Sequence, residues 1–389
     1  MHLNRRAFLL STALALPAGV AARAQSGERL RACVIGDSNQ GGYGHGLHLA
    51  FSRRDNIAVV GLADPDEAGR AKHAEESGAE RTYADYREML EKEKPDLVAV
   101  GPRWTIHHRD YLLACAEAGA HGFMEKPLCT DLAEADEMIG AIEARNLKWS
   151  IAFNVRGSAI LQHVKQAVDD GLIGTLIEAR TRGKEDRRSG GEDLIVLGSH
   201  VLDLMRFFME ADPLRCAASI TAGGASAGPG DVREATEPLG PILGDTIHAM
   251  FAFPGGRAGY FDSARHPEGA GGRFGIDLHG SRGIISIRIG STFEARWLDS
   301  PTWDAAAPDA AWLPLPGAPA PENTGGHNRY RYIVDDLLEA IAADRRPELS
   351  LQDGRAVQEM IQAVFASHVA GAQIPMPLEN RTHPLRNWA

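Results

Sequence analysis

The chain has 389 residues, of which 44% are hydrophobic and 24% charged, enough for two domains with real cores. Four cysteines in this length cannot make a disulfide framework, and the ordinary apolar fraction excludes disorder and collagen-like repetition. A net charge of −11 offers no broad basic face to phosphate backbones, which argues against a nucleic-acid partner and for a small molecule.

Residues 1–24 read as an address. Asn4-Arg5-Arg6-Ala7-Phe8-Leu9 leads into an apolar run to Val20 and then Ala22-Arg23-Ala24, a small-residue cleavage site. The run is too short to span a bilayer comfortably and is broken by Pro17 and Gly19, so removal near Ala24 is expected, with no membrane anchor left. The paired arginines followed by Phe-Leu resemble the twin-arginine export signal, with Asn4 where Ser or Thr is usual; an ordinary secretory signal is the alternative. That resemblance implies a periplasmic or otherwise exported protein that crosses the membrane folded, with any cofactor already loaded. The leader holds three arginines and no acid, so the mature remainder carries −14.

From Leu30 onward, short apolar runs alternate with helical periodicity. Strands are predicted at Leu30–Ile35, Ile57–Leu62, Leu97–Val100, Gly122–Met124 and Ser150–Phe153. Helices are predicted between them at Gly46–Arg53, Asp66–Ser77, Ala84–Glu93, Ile106–Ala118 and Asp131–Arg145. Five strand–helix alternations predict a parallel sheet covered by helices, a Rossmann-like dinucleotide-binding domain over residues 25–153.

After Asn154 the rhythm changes to an α/β domain over residues 154–389. Helices are expected at Ser158–Asp169 and Val201–Met209, and a strand at Leu176–Thr181. The strands Ala217–Thr221, Thr246–Phe253, Arg257–Asp262, Phe274–His279 and Gly283–Ile289 follow without intervening helices, predicting an open, mostly antiparallel sheet. Ala222–Gly244 and Pro301–Gly326 read as long loops, and Tyr332–Ala343 and Leu351–His368 as closing helices.

The first strand ends in Gly36-Asp37-Ser38-Asn39-Gln40-Gly41-Gly42-Tyr43-Gly44-His45-Gly46, where glycines can bring backbone amides to a pyrophosphate at a helix N-terminus. The spacing is not a clean G-x-G-x-x-G, and a plain glycine turn is the bland alternative. Support comes from Asp64 at the end of the second strand, placed to accept from ribose hydroxyls and to repel a 2′-phosphate, which favours NAD over NADP. Asp64-Pro65-Asp66 is equally suited to cap the next helix, and the two roles can fall to different aspartates. Gly101-Pro102-Arg103-Trp104 and Glu125-Lys126-Pro127 also follow strand carboxyl ends, where open α/β sheets place their ligands. The expected dinucleotide contacts are Gly36, Ser38, Asn39, Gly41, Gly42, Tyr43, Gly44, Asp64, Pro102, Arg103, Trp104, His108, Glu125 and Lys126. No metal is expected: the adjacent pair His107-His108 points apart on a helix and no spacing completes a site. Cys33, Cys115, Cys129 and Cys216 form no C-x-x-C pair and read as structural thiols.

His108, Ala116-Glu117-Ala118-Gly119, His121, Glu125-Lys126-Pro127, Asn154-Val155-Arg156, Gly171-Leu172-Ile173-Gly174 and Gly198-Ser199-His200-Val201-Leu202-Asp203 occur in one order. In this the mature chain resembles the glucose-fructose oxidoreductase, inositol dehydrogenase and rhizopine-catabolism (Gfo/Idh/MocA) family over nearly all its length. The resemblance implies a sheet facing the nicotinamide, a carbohydrate or cyclitol substrate, and homo-oligomers formed through that sheet. It makes Lys126 and His200 the catalytic pair, with Lys126 binding the substrate hydroxyl and His200 taking its proton. Arg156, Lys184 and His266 are further substrate candidates. One departure stands out: many relatives carry Asp four residues before this histidine, and here that place is Val196, for which Glu192 and Asp193 cannot simply substitute.

The expected activity is an exported NAD-dependent oxidoreductase acting on a sugar or cyclitol hydroxyl, with a tightly held, internally recycled cofactor. Two alternatives stay open. One is a redox-neutral lyase, glycosidase or epimerase that oxidises its sugar only transiently; the other is a non-catalytic dinucleotide- or sugar-binding protein, which Val196 motivates.

Overall fold

The computed structural model describes residues 28–265, 272–307, 310–320 and 330–388. The leader, with Arg5, Arg6 and Ala24, and His266 lie outside the described residues. In the N-terminal domain β1 (Leu30–Ile35), β2 (Ile57–Ala63), β3 (Arg81–Tyr83), β4 (Leu97–Val100), β5 (His121–Met124) and β6 (Trp149–Ile151) pair in parallel, in the order β3-β2-β1-β4-β5-β6. The central strands are almost wholly buried, as their unbroken apolar runs require of strands covered on both faces. The strand order reverses between β1 and β4. There the chain leaves both strands at glycines, Gly36 and Gly101, and opens the crevice in which such sheets bind ligands. β3 escaped sequence analysis because three edge residues, two of them exposed, carry no readable period.

The helices α1 (Glu67–Ser77), α2 (Tyr86–Glu93), α3 (His108–Glu117) and α4 (Leu132–Glu143) lie within the predicted spans. Asp66, Asp85 and Asp131 each accept from a backbone N–H of the first turn, so the aspartates at the predicted boundaries act as caps. The predicted helix Gly46–Arg53 is a correction: only a 3₁₀ turn, Leu47–Leu49, forms there. Left-handed backbone at Gly46 and Arg53 bounds the segment, and Leu47 and Phe51 reach the core from turns instead. A helix N-terminus behind the glycine loop is therefore not part of this fold.

The second domain begins with α5 (Ala159–Asp169) and β7 (Leu176–Arg182), passes a π-helical turn at Leu194–Gly198, and continues into α6 (Ser199–Met209). Then come β8 (Arg215–Ala222), β9 (Ala225–Ser226), β10 (Val232–Glu234), β11 (Pro241–Leu243), β12 (Thr246–Ala252) and β13 (Ala258–Ala264). β14 (Gly275–Gly280), β15 (Gly283–Arg288), β16 (Glu294–Asp299) and β17 (Trp312–Pro314) complete the run before α7 (Arg331–Ala342), α8 (Leu351–Ala370) and β18 (Ile374–Pro375). The large sheet runs β17-β16-β15-β14-β7-β13-β12-β8-β18, with β9 paired to β8. Every pairing is antiparallel except β7 with β13. The expected loop Ala222–Gly244 carries a small hairpin, β10 with β11.

α8 ties the two domains together. Its capping box, Ser350 with Asp353, starts the helix beside β6, where Ile151 N donates to Leu349 O at 2.8 Å. The apolar side chains of both sheets consequently form one continuous core.

Candidate functional site

At the crevice the glycine loop folds back over the end of β1. Tyr43 lays its ring against Gly36, so close that a Cβ at Gly36 would stand 2.0 Å from the ring, and its hydroxyl donates to Asp64 at 2.7 Å. Gly44, at φ +58°, packs on Glu125, where a Cβ would lie 2.1 Å from the carboxylate. These two glycines are required for the loop's close approach to its own protein.

Asp64 lies at the wall of the cleft beside the end of β1. It is fully buried, and it accepts from Ser38 N and Oγ, Tyr43 Oη and Asp66 N, at 2.7–3.2 Å. These bonds fix the carboxylate at the edge of the cleft, where the sequence places a ribose acceptor. The next-helix capping role belongs to Asp66.

Beside this network a cleft of about 350 Å³ runs along the strand ends, lined by Gly36, Asp37, Gln40, Tyr86, Arg87 and His107 among others. Burial pushes the Asp37 carboxyl up, and neighbouring Asp64 adds to the effect against the opposing bond from Asn39 N. Gln40 and His107 are joined side chain to side chain at 2.8 Å. An aromatic wall of Tyr86 and Tyr111 and a polar floor suit the adenosine part of a dinucleotide. Sequence reading did not assign Asp37, Tyr86, Arg87 and His107 to the cofactor: Asp37 sits inside the glycine-rich segment, His107 was weighed only as a metal ligand, and Tyr86 and Arg87 sit in no glycine or strand-end motif.

His108 is also corrected. It is wholly buried, with its ring nitrogens 2.7 Å from Pro102 O and 3.0 Å from Leu128 O, so it binds two strand-end loops to each other and faces no cleft. Burial holds its pKa down. Arg103 and Trp104 press their backbone against Gly41, and Arg103 reaches Glu237 of the second domain at 3.5 Å. The Ala222–Gly244 segment thereby meets the loop that follows β4.

Lys126 sits where the two domains meet. Its side chain is buried and Nζ donates to Val196 O at 2.7 Å, within the π-helical turn that precedes His200. Burial lowers the Lys126 pKa against the opposing charge of Glu125, and burial raises that of Glu125. His200 lies one turn after Val196 on the first turn of α6, nearly buried, with its ring 6.2 Å from that of Phe153. The residue that stands in place of the family's aspartate thus contributes a backbone carbonyl, an acceptor that any side chain leaves in place. π-Helical turns of this kind are frequent at functional sites.

Glu192 and Asp193 do other work. Glu192 accepts from Thr236. Asp193 is buried and accepts from Lys184 N, Glu185 N and Ser263 Oγ, which fastens the end of β7 to β13. Burial pushes its carboxyl up to about 6 despite those bonds. A folded-state pKa above the unfolded value makes the contribution to stability greatest below about pH 4 and lost as pH rises through 6. The unfolding midpoint should therefore fall between pH 4 and 6, and Asp193→Asn should flatten that slope; an unchanged slope by thermal unfolding across this range would assign it to other groups.

Of the substrate candidates, Arg156 is corrected. It pairs with Asp203 at 3.1 Å and Asp353 at 3.4 Å and lines a cavity of about 570 Å³ between α5, α6 and α7, whose walls include neither Lys126 nor His200. The charges in that larger cavity already satisfy one another: Arg206 with Asp212 and Asp353, and Lys165 with Asp169 and Glu210. Lys184 is half exposed and pairs with Asp186 at 3.4 Å. All four cysteines are buried free thiols, their pKa values pushed up by burial.

Two models of one family match the chain: an oxidoreductase family with an NAD-binding Rossmann fold over residues 30–153, and a GFO/IDH/MocA C-terminal domain over residues 161–286. The chain belongs to the Gfo/Idh/MocA family, and its cofactor is NAD. Levoglucosan dehydrogenase of Pseudarthrobacter phenanthrenivorans is 27% identical over 252 residues, which is 58% of this chain and 63% of that one, less than two thirds of the relative. Myo-inositol 2-dehydrogenase of Thermotoga maritima is 27% identical over 240 residues, 59% of this chain and 68% of that one. A solved levoglucosan dehydrogenase in complex with NADH shares the fold, with a TM-score of 0.70 and 21% identity over 90% of this chain and all of that one.

Proposed function

We propose that this protein is an exported NAD-dependent oxidoreductase that acts on a hydroxyl of a sugar or cyclitol and keeps its dinucleotide bound between turnovers. The observation that carries the chemistry is the Lys126 Nζ to Val196 O bond, because it sets the ammonium beside the turn that delivers His200. Levoglucosan and myo-inositol, named in two relatives, are polyhydroxylated rings, and a lysine–histidine pair suits such a ring. Bound NAD supplies a hydride acceptor. Lys126 donates a hydrogen bond to the substrate hydroxyl oxygen and stabilises its developing negative charge, while His200 takes the hydroxyl proton. Burial that lowers the Lys126 pKa also strengthens that hydrogen bond by removing competing water. Because the acceptor at position 196 is a carbonyl, the missing aspartate is no reason to read the site as decayed.

Export rests on Arg5, Arg6 and the Ala22-Arg23-Ala24 cleavage site. Replacing both arginines by lysine should trap precursor in the cytoplasm; an unchanged distribution, with mature protein still starting at Met1, would sink the export reading.

A compartment without a maintained nicotinamide pool stalls any dehydrogenase that releases reduced cofactor, so the dinucleotide is regenerated in place by a second substrate or by return of the hydride. Freshly purified mature protein, denatured and analysed by absorbance and mass, should release close to stoichiometric NAD(H). Dialysed protein should convert sugars without added dinucleotide. Continuous NADH accumulation that depends on added NAD would overturn the closed cycle while leaving the oxidoreductase reading intact.

A further inference from the structure

His48, His73 and Glu76 converge on one point behind the glycine loop. His73 and Glu76 are three residues apart on α1 and so share a face, and the Leu47–Leu49 turn brings His48 against them. His48 Nε2 and His73 Nδ1 approach the same Glu76 oxygen, at 2.9 and 2.8 Å. The candidate donor atoms lie within 4.8 Å of one another, and the two imidazole planes meet at 67° with centroids 4.7 Å apart. Among the described residues no other three His, Cys, Asp or Glu side chains meet in this way.

We propose that His48, His73 and Glu76 bind a divalent cation of the zinc class, with water completing a four-coordinate shell. Two imidazole nitrogens and one carboxylate oxygen are the donor set of zinc sites that keep an open position, and they suit zinc over the oxygen-seeking calcium or magnesium. The burial is graded as such a site needs. His48 is buried and fixed, His73 is partly covered, and the Glu76 side chain, 41% exposed, leaves an entry path and the freedom to turn outward as the ion replaces the bridging protons.

The site also has a mechanical neighbour. The Tyr43 ring rests 4.0 Å from the His73 ring and 5.1 Å from that of His48, and the same ring covers Gly36 and bonds Asp64. An ion that fixes both imidazoles fixes the surface on which Tyr43 rests, so it braces the glycine loop from outside the dinucleotide cleft.

The test uses tag-free full-length mature protein, stripped with a chelator and titrated with Co²⁺ and then Zn²⁺. One equivalent of Co²⁺ should give the visible bands of a four-coordinate ion, Zn²⁺ should bleach them, and the thermal unfolding midpoint should rise because the ion binds only folded chain. His73→Ala and Glu76→Gln should each weaken binding by about 100-fold or more, exceeding the usual cost of losing an outer-shell partner. His73→Gln, which keeps a hydrogen bond to Glu76, should unfold like the metal-free parent and still lose the ion. Absence of both bands and midpoint rise would overturn the proposal, as would their survival in all three variants, which would put the ion at other histidines.

Discussion

Lys126→Ala should lower turnover of an accepted sugar by about 10²–10⁴-fold while dinucleotide binding, followed by NADH fluorescence, stays near the parent value. Its Nζ reaches across the domain junction to Val196 O, and among the described residues no other cation is placed by the same bond. His200→Ala should fall in the same range. Because one group holds the oxygen and the other takes its proton, the double variant should lose little more than either alone. Near-normal turnover in both single variants would refute the pair, and loss of NADH binding in Lys126→Ala would recast that residue as part of the cofactor wall.

The largest effect on stability is expected at Arg156. Replacing it with Met removes the partner of Asp203, which is almost completely buried and whose carboxyl is pushed up by burial even with the guanidinium beside it. Breaking a buried pair by deleting one member costs about 3–5 kcal/mol, since the charge left behind has no water to turn to. The raised pKa sets the sign with pH. A protonated Asp203 needs no cation, so the deficit should shrink as pH falls, and adding Asp203→Asn should recover much of it. A loss below about 1 kcal/mol by chemical denaturation would show that Asp353 and Arg206 carry the network without Arg156.

The Rossmann sheet was legible because its central strands are unbroken apolar runs and three of its four helices start at aspartates whose short side chains cap them. The position of Lys126 was legible because Glu-Lys-Pro follows a strand carboxyl end, where open α/β sheets place ligands. Less could be read where a residue's role depends on what folds back onto it. That Ser38 and Tyr43 bond to Asp64 could not be read, because a glycine loop can curl inward as easily as outward. His108 and Arg156 carry family motif positions, but one is sealed between two carbonyls and the other between two carboxylates.

Local pattern alone determined the two-domain order, the parallel first sheet, the mostly antiparallel second sheet, and the strand ends at which chemistry-bearing residues emerge, because periodicity and capping are properties of neighbouring residues. Tertiary structure alone decided that Val196 serves Lys126 through its backbone, that β7 and β13 run parallel, and that His48 meets His73 and Glu76 across 25 residues of chain. Those outcomes depend on how separate elements pack, and packing is set by complementary surfaces that no single segment contains.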